Sequence, residues 1–330
     1  MIGAPKLPGI QAFKSTQVTM SSLTKFFFEP HIPHIGAGFI DDRFVVVDMH
    51  KKRGSLAIAA NAYTVLPPDL VCAGFDSPNI TDPIALAEII TQTAEGAGLA
   101  NRKKWSVTLP QGVTRTVVVS VEGNPTSRKE IDEILAWKVE RALGINMSGL
   151  RIARGRLPGS SGGQRFLVTV SPENVLAEYE GVFQRIGWQV GLLLPKLLGE
   201  AEWILGGSAA CDKLLISVHY GGFTSMIVRD AQPLLIRTHD SVQSFADEIY
   251  RVVLFYLDRF PADSELNASL EQLMLIGDSD RNQVIEAVAD ATGRSPHLLT
   301  PEDLGLDLQG QPISFDSIAA ASGPAILAWK

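Results

Sequence analysis

The stretch Phe44–Ala60 (FVVVDMHKKRGSLAIAA) decides the fold, because two apolar runs flank one basic turn. An apolar, β-branched run followed by a polar turn and a second apolar run predicts two paired strands. A second unit of this kind spans Leu214–Val228 (LLISVHYGGFTSMIV), and a third apolar run, Leu273–Asp278 (LMLIGD), leads into a helix-like stretch. The similarity between the first two units predicts two related lobes.

The size and composition of the chain are typical of a folded protein with two domains or one bilobed body. It has 330 residues, of which 45% are hydrophobic and 20% are charged, far from the composition of disordered chains. The formal net charge is −7, which argues against a nucleic-acid partner because such proteins usually carry a basic face.

Cysteine usage and hydropathy indicate a cytoplasmic protein. Cys72 and Cys211 lie far apart without a CxxC pattern, so we expect neither a disulfide framework nor a zinc site. The most apolar stretch, residues 190–198, is broken by Pro195 and Lys196 and falls short of the roughly 20 residues of a spanning helix. The N-terminus lacks the apolar core of a secretory signal. We therefore expect any membrane association to come through partners.

Local signals predict the helices. Asp82 is a candidate N-cap for a helix over 83–98, with proline at its first position. Ser127 and Glu130 predict a capping box for a helix over 128–143. Around the second helix, the order strand–helix–strand–strand–helix predicts a small inserted αβ subdomain.

The predicted organisation has four parts. They are a loosely ordered extension (1–35), a first lobe (36–110 and 187–210), the inserted αβ subdomain (111–186) and a second lobe (211–330).

The order of these elements resembles the actin-like ATPase superfamily and, within it, the type IV pilus assembly protein PilM, a relative of the cell-division protein FtsA. The resemblance covers about residues 40–330 and rests on six segments: the hairpin 44–60, the segments 82–87 and 109–110, the helix 130–141, the pair 187–188 and the ending 319–328. It implies an α/β, ribonuclease H-like fold of two lobes with an inserted small αβ subdomain.

The resemblance also implies nucleotide-binding loops, and these depart from the family pattern. The first family loop resembles D-x-G-S-S-S, whereas here Asp48 is followed by Met49–Arg53 before Gly54 and Ser55. In the second loop, Ser217 takes the aspartate position. Phosphoryl transfer needs a held metal and donors aimed at the developing charge. We therefore expect ATP hydrolysis to be absent or negligible, with no catalytic residue and no resident cofactor.

ATP with magnesium stays possible, and the resemblance then implies a set of contacts. They are Asp48, Lys51, Lys52, Gly54, Ser55, Gly221, Gly222 and Gly277. The basic turn is either a cationic clamp or an ordinary solvated turn. Asp48 either holds a magnesium-bound water or is an ordinary turn residue. The six histidines are dispersed along the chain without i,i+4 partners, so their spacing predicts no metal site.

PilM-like proteins bind the cytoplasmic N-terminal peptide of the membrane protein PilN, which links them to the pilus motor. The resemblance implies a peptide groove between the first lobe and the inserted module, walled by residues 114–121 and 128–143. We expect Arg115, Trp137 and Arg141 to contact the peptide, because aromatic and arginine side chains dominate such interfaces. Alternatively, Trp137 is subdomain core and both arginines are surface charges.

Two other functions stay open. One is a functional ATP-binding actin-like protein whose nucleotide state gates partner binding. The other is the cytoplasmic part of the type II secretion protein GspL, which the absence of a membrane span before Lys330 disfavours. Oligomers are possible in each case.

Overall fold

The structure is a computed structural model that describes residues 32–52, 54–123, 125, 127–160, 163–205, 211–260, 270–308, 310 and 312–329. Most of the predicted extension, residues 1–31, lies outside this range. The described chain divides into two compact units. We call residues 114–174 the insert, and the described parts of 32–113 and 175–329 the body.

The first lobe of the body begins with a three-stranded meander. Its elements are β1 (Ile35–Ile40), β2 (Arg43–Lys52), β3 (Ser55–Val65), α1 (Pro83–Gly96) and β4 (Lys104–Leu109). The Asp82 carboxylate accepts hydrogen bonds from the backbone N–H groups of Ile84 and Ala85, which satisfies donors that the first turn of a helix leaves free. The predicted cap of α1 is therefore confirmed.

The insert is an antiparallel sheet with one helix. Its elements are β5 (Arg115–Val121), α2 (Arg128–Leu143), β6 (Leu150–Ser160) and β7 (Gly163–Pro172), with strand order β5-β7-β6. Helix α2 ends as predicted at Gly144, which adopts the left-handed conformation with φ of 66°. The predicted capping box does not form, because the Ser127 side chain makes no hydrogen bond to the helix N-terminus. The extended backbone of Ser127 alone marks the start of α2.

Helix α3 (Glu173–Arg185) begins in the insert and continues into the body. Its apolar face completes the first-lobe core, where Tyr179 meets Phe39 at 5.2 Å between ring centroids and Phe183 meets Phe44 at 6.5 Å. The sequence prediction assigned 111–186 to the inserted subdomain. The structure places α3 from residue 175 onwards in the body because this apolar face packs there.

The rest of the body completes the first lobe and builds the second. The elements are β8 (Gln189–Pro195), α4 (Lys196–Leu205), β9 (Asp212–His219), β10 (Gly222–Arg229), β11 (Gln232–His239), α5 (Phe245–Arg259), β12 (Leu270–Ile276), α6 (Arg281–Thr292), β13 (His297–Leu298), β14 (Leu306–Asp307), α7 (Phe315–Ile326) and a 3₁₀ turn (Leu327–Trp329). None of the described helices is both long and apolar enough to cross a bilayer.

The two lobes share one strand arrangement. The first sheet has the order β14-β3-β2-β1-β4-β8, and the second has β11-β10-β9-β12-β13. In each, an antiparallel meander of three strands is followed by a strand that lies parallel to the first strand of the meander. The prediction of two related lobes is therefore confirmed at the level of topology.

The observed correspondence between the lobes differs by one strand from the predicted one, which matched residues 44–60 with residues 214–228. Strands β1–β3 match β9–β11, so the 44–60 hairpin is the second hairpin of its lobe, whereas 214–228 is the first hairpin of the other. Strand β1 escaped the sequence analysis because it has six residues, contains Gly36 and Gly38, and follows Pro33. Glycine is depleted in strands, which weakens the sequence signal.

Helices α4 and α7 lie in the core that the two lobes share. This core joins β2 residues such as Val45 to Met226 and Met274 of the second lobe. The helices meet backbone to backbone, since a Cβ atom at Gly323 would lie 1.6 Å from the Gly199 carbonyl oxygen. Only glycine fits at this crossing.

Replacing Gly323 with alanine tests the crossing. The added methyl group has to push α4 and α7 apart, so we expect Gly323→Ala to lower the free energy of unfolding by about 1–3 kcal/mol. Urea denaturation of the purified protein measures it. Gly181→Ala is the matched control, because a Cβ at this α3 glycine meets no atom within 4 Å, and we expect a gain of about 0.5–1 kcal/mol. Equal effects of the two substitutions would contradict the close crossing.

Candidate functional site

The candidate site is the edge of the second-lobe sheet where parallel strands β9 and β12 end. Ile276 of β12 pairs with Ser217 of β9, and Gly277 follows at φ of 105°. A Cβ at Gly277 would lie 2.9 Å from the Val218 side chain. Open α/β sheets bind their ligands at the carboxyl ends of such strands. In this protein, a side chain from the first lobe reaches that edge.

Lys196, the first residue of α4, places its ammonium group against this edge. The Nζ atom donates to the Val218 carbonyl oxygen at 3.0 Å and to Ser217 Oγ at 3.4 Å. It also lies 3.5 Å from Glu200 Oε1, one helical turn further along α4. The Lys196 and Glu200 side chains are 3% and 0% exposed. Both charges are therefore withdrawn from solvent, and the ammonium is bonded to protein groups.

Burial dominates the electrostatics of this pair. It raises the pKa of Glu200, and the Lys196 ammonium and the Ser217 hydroxyl oppose that rise. Asp41, in the turn between β1 and β2, raises the pKa of Glu200 further. The first turn of the first lobe thus lies within electrostatic reach of the pair. A buried ion pair persists only when partners compensate its loss of hydration.

Two further hydrogen bonds lie at this edge, whereas one imidazole nitrogen there is without a partner among the described residues. The backbone N–H of Gly277 donates to the Asp316 carboxylate. Burial raises the pKa of Asp316, and the Arg281 guanidinium opposes part of that rise. Gln111 donates through Nε2 to Thr224 Oγ1 at 3.0 Å. Burial lowers the pKa of His219, whose Nε2 atom has no hydrogen-bond partner among the described residues. Burial thus favours the neutral form of its imidazole.

The structure divides the predicted nucleotide contacts into two groups. Gly221, Gly222 and Gly277 lie at the second-lobe edge, where Gly221 forms the β9–β10 turn at φ of 77°. A Cβ at Gly222 would lie 1.9 Å from the His239 carbonyl oxygen. These three glycines are needed for turn geometry and for close packing, whether or not a ligand binds.

The other predicted contacts belong to the opposite end of β2. Lys51, Lys52, Gly54 and Ser55 are exposed at the β2–β3 turn, and Arg53 lies outside the described residues. Successive turns of a meander lie at opposite ends of the shared strand. The ten-residue β2 therefore separates this turn from Asp41 and Asp42 by roughly 30 Å. The first-lobe counterpart of the β9–β10 turn is the β1–β2 turn. The structure therefore does not bring the basic β2–β3 turn to the edge where β9 and β12 end.

Asp48 lies in β2 and is buried, with 5% of its surface exposed. Its Oδ1 atom is 3.5 Å from His34 Nε2 and 3.4 Å from His50 Nε2. The prediction that the histidines are dispersed was based on their spacing along the chain. The pairing of β1 with β2 brings two of them to one carboxylate.

Sequence analysis missed the role of Lys196 and Glu200. Both lie in a mostly apolar stretch, and their i,i+4 spacing was a usable signal. A lysine and a glutamate four residues apart within such a stretch indicate a buried pair. The contact with Ser217 was not accessible, because it joins the two lobes.

The predicted partner-binding residues lie in the insert. Trp137 is 56% exposed, so it is not subdomain core, and the Arg141 guanidinium carbon lies 5.5 Å from its ring centroid. Lys138 donates to the Ser120 carbonyl oxygen of β5 at 2.8 Å. Arg115 is half-buried at the first position of β5 and donates to the Thr114 carbonyl oxygen at 3.3 Å. The structure thus brings Trp137 and Arg141 together on α2.

Solved structures show that this chain has an actin-like fold. A Bacteroides thetaiotaomicron protein with an actin-like ATPase fold and unknown function covers 92% of this chain with 99% of its own, at 9% identity and a TM-score of 0.50. The PilM–PilN type IV pilus biogenesis complex covers 91% of this chain with 100% of its own, at 16% identity and a TM-score of 0.71. No family model and no curated protein matches the sequence. The predicted likeness to PilM is therefore confirmed at the level of the fold.

Replacing Lys196 with methionine tests the buried pair. Without the ammonium, the Glu200 carboxylate stays buried and uncompensated, so we expect Lys196→Met to lower the free energy of unfolding by about 3–5 kcal/mol. Chemical denaturation measures the change.

The control removes both charges. In the double variant Lys196→Met, Glu200→Leu no charge is left buried, so we expect most of the lost stability to return. A double variant as unstable as Lys196→Met would show that the cost comes from lost packing rather than from the unpaired charge.

Proposed function

We propose that the chain is a PilM-like cytoplasmic scaffold of type IV pilus or related secretion machinery, and that it binds the N-terminal cytoplasmic peptide of a PilN-like membrane protein. The observation that carries this proposal is the buried Lys196–Glu200 pair at the edge where an actin-like protein would need an open phosphate site. The fold likeness to PilM, in a structure of its complex with PilN, supports the choice of partner.

The proposal includes absent or negligible ATP hydrolysis and no resident cofactor. Phosphoryl transfer depends on a held metal ion and on donors free to meet the phosphates. Here the Lys196 ammonium donates to Val218 and Ser217, and the N–H of Gly277 donates to Asp316. A nucleotide would have to displace these contacts. The competing function, an ATP-binding protein whose nucleotide state gates partner binding, requires that displacement.

The proposed peptide contacts are Trp137, Arg141 and Arg115. Tryptophan and arginine are enriched among the residues that dominate binding energy, and an exposed tryptophan offers a large apolar area. Arg141 already lies beside the Trp137 ring, so a peptide that pairs an apolar side chain with a carboxylate would engage both. Strand β5 is at the edge of the insert sheet, where an extended peptide has access to backbone groups.

The proposed location follows from the partner. A peptide that extends from a membrane protein would hold this chain at the cytoplasmic face of the inner membrane. Contacts with the pilus motor and self-association belong to the same proposal.

Peptide binding tests the proposed function. Fluorescence polarisation with a labelled peptide from the cytoplasmic N-terminus of a PilN-like protein of the same source measures the affinity. We expect Trp137→Ala to weaken binding by about thirtyfold, the effect of losing a contact worth about 2 kcal/mol. We expect Arg141→Ala and Arg115→Ala to weaken it by about tenfold each.

The matched control is Tyr220→Ala, because Tyr220 is an exposed aromatic residue of the second lobe. This substitution should leave the affinity unchanged. Failure of the wild-type protein to bind the peptide would contradict the proposed partner. Binding that is insensitive to Trp137→Ala would move the peptide site away from α2.

A further inference from the structure

We propose that His34, Asp48 and His50 form a binding site for a divalent transition-metal ion of the zinc class. The site lies in the first lobe, where the residue before β1 meets the second half of β2. It does not depend on the proposed partner or on nucleotide binding.

Two of the three distances between these side chains, those from each histidine to Asp48, match the spacing of metal ligands. His34 Nε2 and His50 Nε2 lie 3.5 and 3.4 Å from Asp48 Oδ1, and all three ligand atoms fall within 4.8 Å of one another. Zinc binds imidazole nitrogen and carboxylate oxygen at about 2.0–2.2 Å, so two ligands of a tetrahedral site are roughly 3.3–3.5 Å apart. Separations of this size are long for direct N–H···O hydrogen bonds. A shared ion accounts for them better than direct bonds.

The Asp48 carboxylate is the second observation that indicates a ligand. Its side chain is 7% exposed, and its Oδ1 atom is buried without a hydrogen-bond partner among the described residues. Buried polar atoms are nearly always bonded, and an isolated exception requires an explanation. This oxygen faces two imidazole nitrogens. A cation between the three groups would satisfy all of them.

The strand pairing fixes the arrangement. Ile35 pairs with Asp48, and the Met49 backbone N–H donates to the His34 carbonyl oxygen at 3.1 Å. These contacts hold His34 beside Asp48, while His50 follows two positions along β2. The His34 ring lies 5.8 Å from the His50 ring and 6.1 Å from that of Trp329, between centroids.

The donor set favours a borderline metal over magnesium or calcium. Two imidazoles with one carboxylate suit zinc, whereas the hard cations prefer oxygen ligands alone. The His34 and His50 side chains are 36% and 53% exposed. A fourth position is therefore accessible to water or to a ligand from a partner. The alternative is a carboxylate that pairs with two protonated imidazoles and binds no ion.

Metal titration of untagged protein separates these arrangements. Cobalt(II) reports a four-coordinate site through its visible absorption, and calorimetry with zinc(II) measures affinity and stoichiometry. We expect one equivalent of either ion to bind per chain. We expect Asp48→Asn, which keeps the shape of the side chain, and His50→Ala to weaken binding at least about tenfold each.

His297→Ala is the matched control, because His297 is an exposed histidine with its Nε2 atom 3.0 Å from the Asp303 carboxylate. It should leave metal affinity unchanged. Circular dichroism spectra and unfolding curves of the metal-free variants check that they fold. Absence of cobalt and zinc binding by wild type would overturn the site, as would equal affinities of wild type and Asp48→Asn.

Discussion

The backbone contact between α4 and α7 is the constraint on which the rest of the body depends. These helices occupy the core shared by the two lobes, and they approach so closely that Gly199 and Gly323 leave no room for a side chain between them. Gly36 of β1 makes an equally close approach to the Ala321 carbonyl oxygen. Because close-packed interiors have discrete rather than continuous arrangements, this contact fixes α4 relative to both sheets. Lys196, at the start of α4, is thereby held at the ends of β9 and β12.

The buried ion pair between Lys196 and Glu200 follows from that placement. A lysine and a glutamate without access to water are a poor source of stability, because hydration is lost on both sides. They are a strong source of specificity, since the Lys196 ammonium is satisfied only when Ser217 and Val218 of the other lobe are in register. The pair thus favours one arrangement of the lobes.

Local signals predicted much of the fold, and contacts between distant residues account for what they missed. The cap at Asp82 and the glycine at 144 act within one helical turn, so they are visible in the sequence and were confirmed. Strand β1 was missed because its glycines serve α7 and β4, which lie far away in the chain. Without β1, the predicted correspondence between the two lobes was shifted by one strand. The basic turn at 50–55 was therefore matched to the β9–β10 turn, although it lies at the other end of its sheet.

The candidate site was predictable to a similar degree. The prediction that Ser217 stands where the family carries an aspartate came from the sequence, whereas the Lys196 ammonium beside Ser217 depends on packing between the lobes. The exposure of Trp137 could not be read from helical spacing, because that spacing is equally compatible with a core position.

We expect the side chains of Lys196 and Glu200 to keep a nucleotide away from the edge formed by β9 and β12. Calorimetric titration of the purified protein with ATP in the presence of magnesium tests it most directly. We expect no saturable binding up to about 1 mM nucleotide. The contacts of Lys196 with Ser217 and Val218 would have to break before a phosphate could reach this edge. Magnesium-dependent binding of one nucleotide per chain at micromolar concentrations would contradict it.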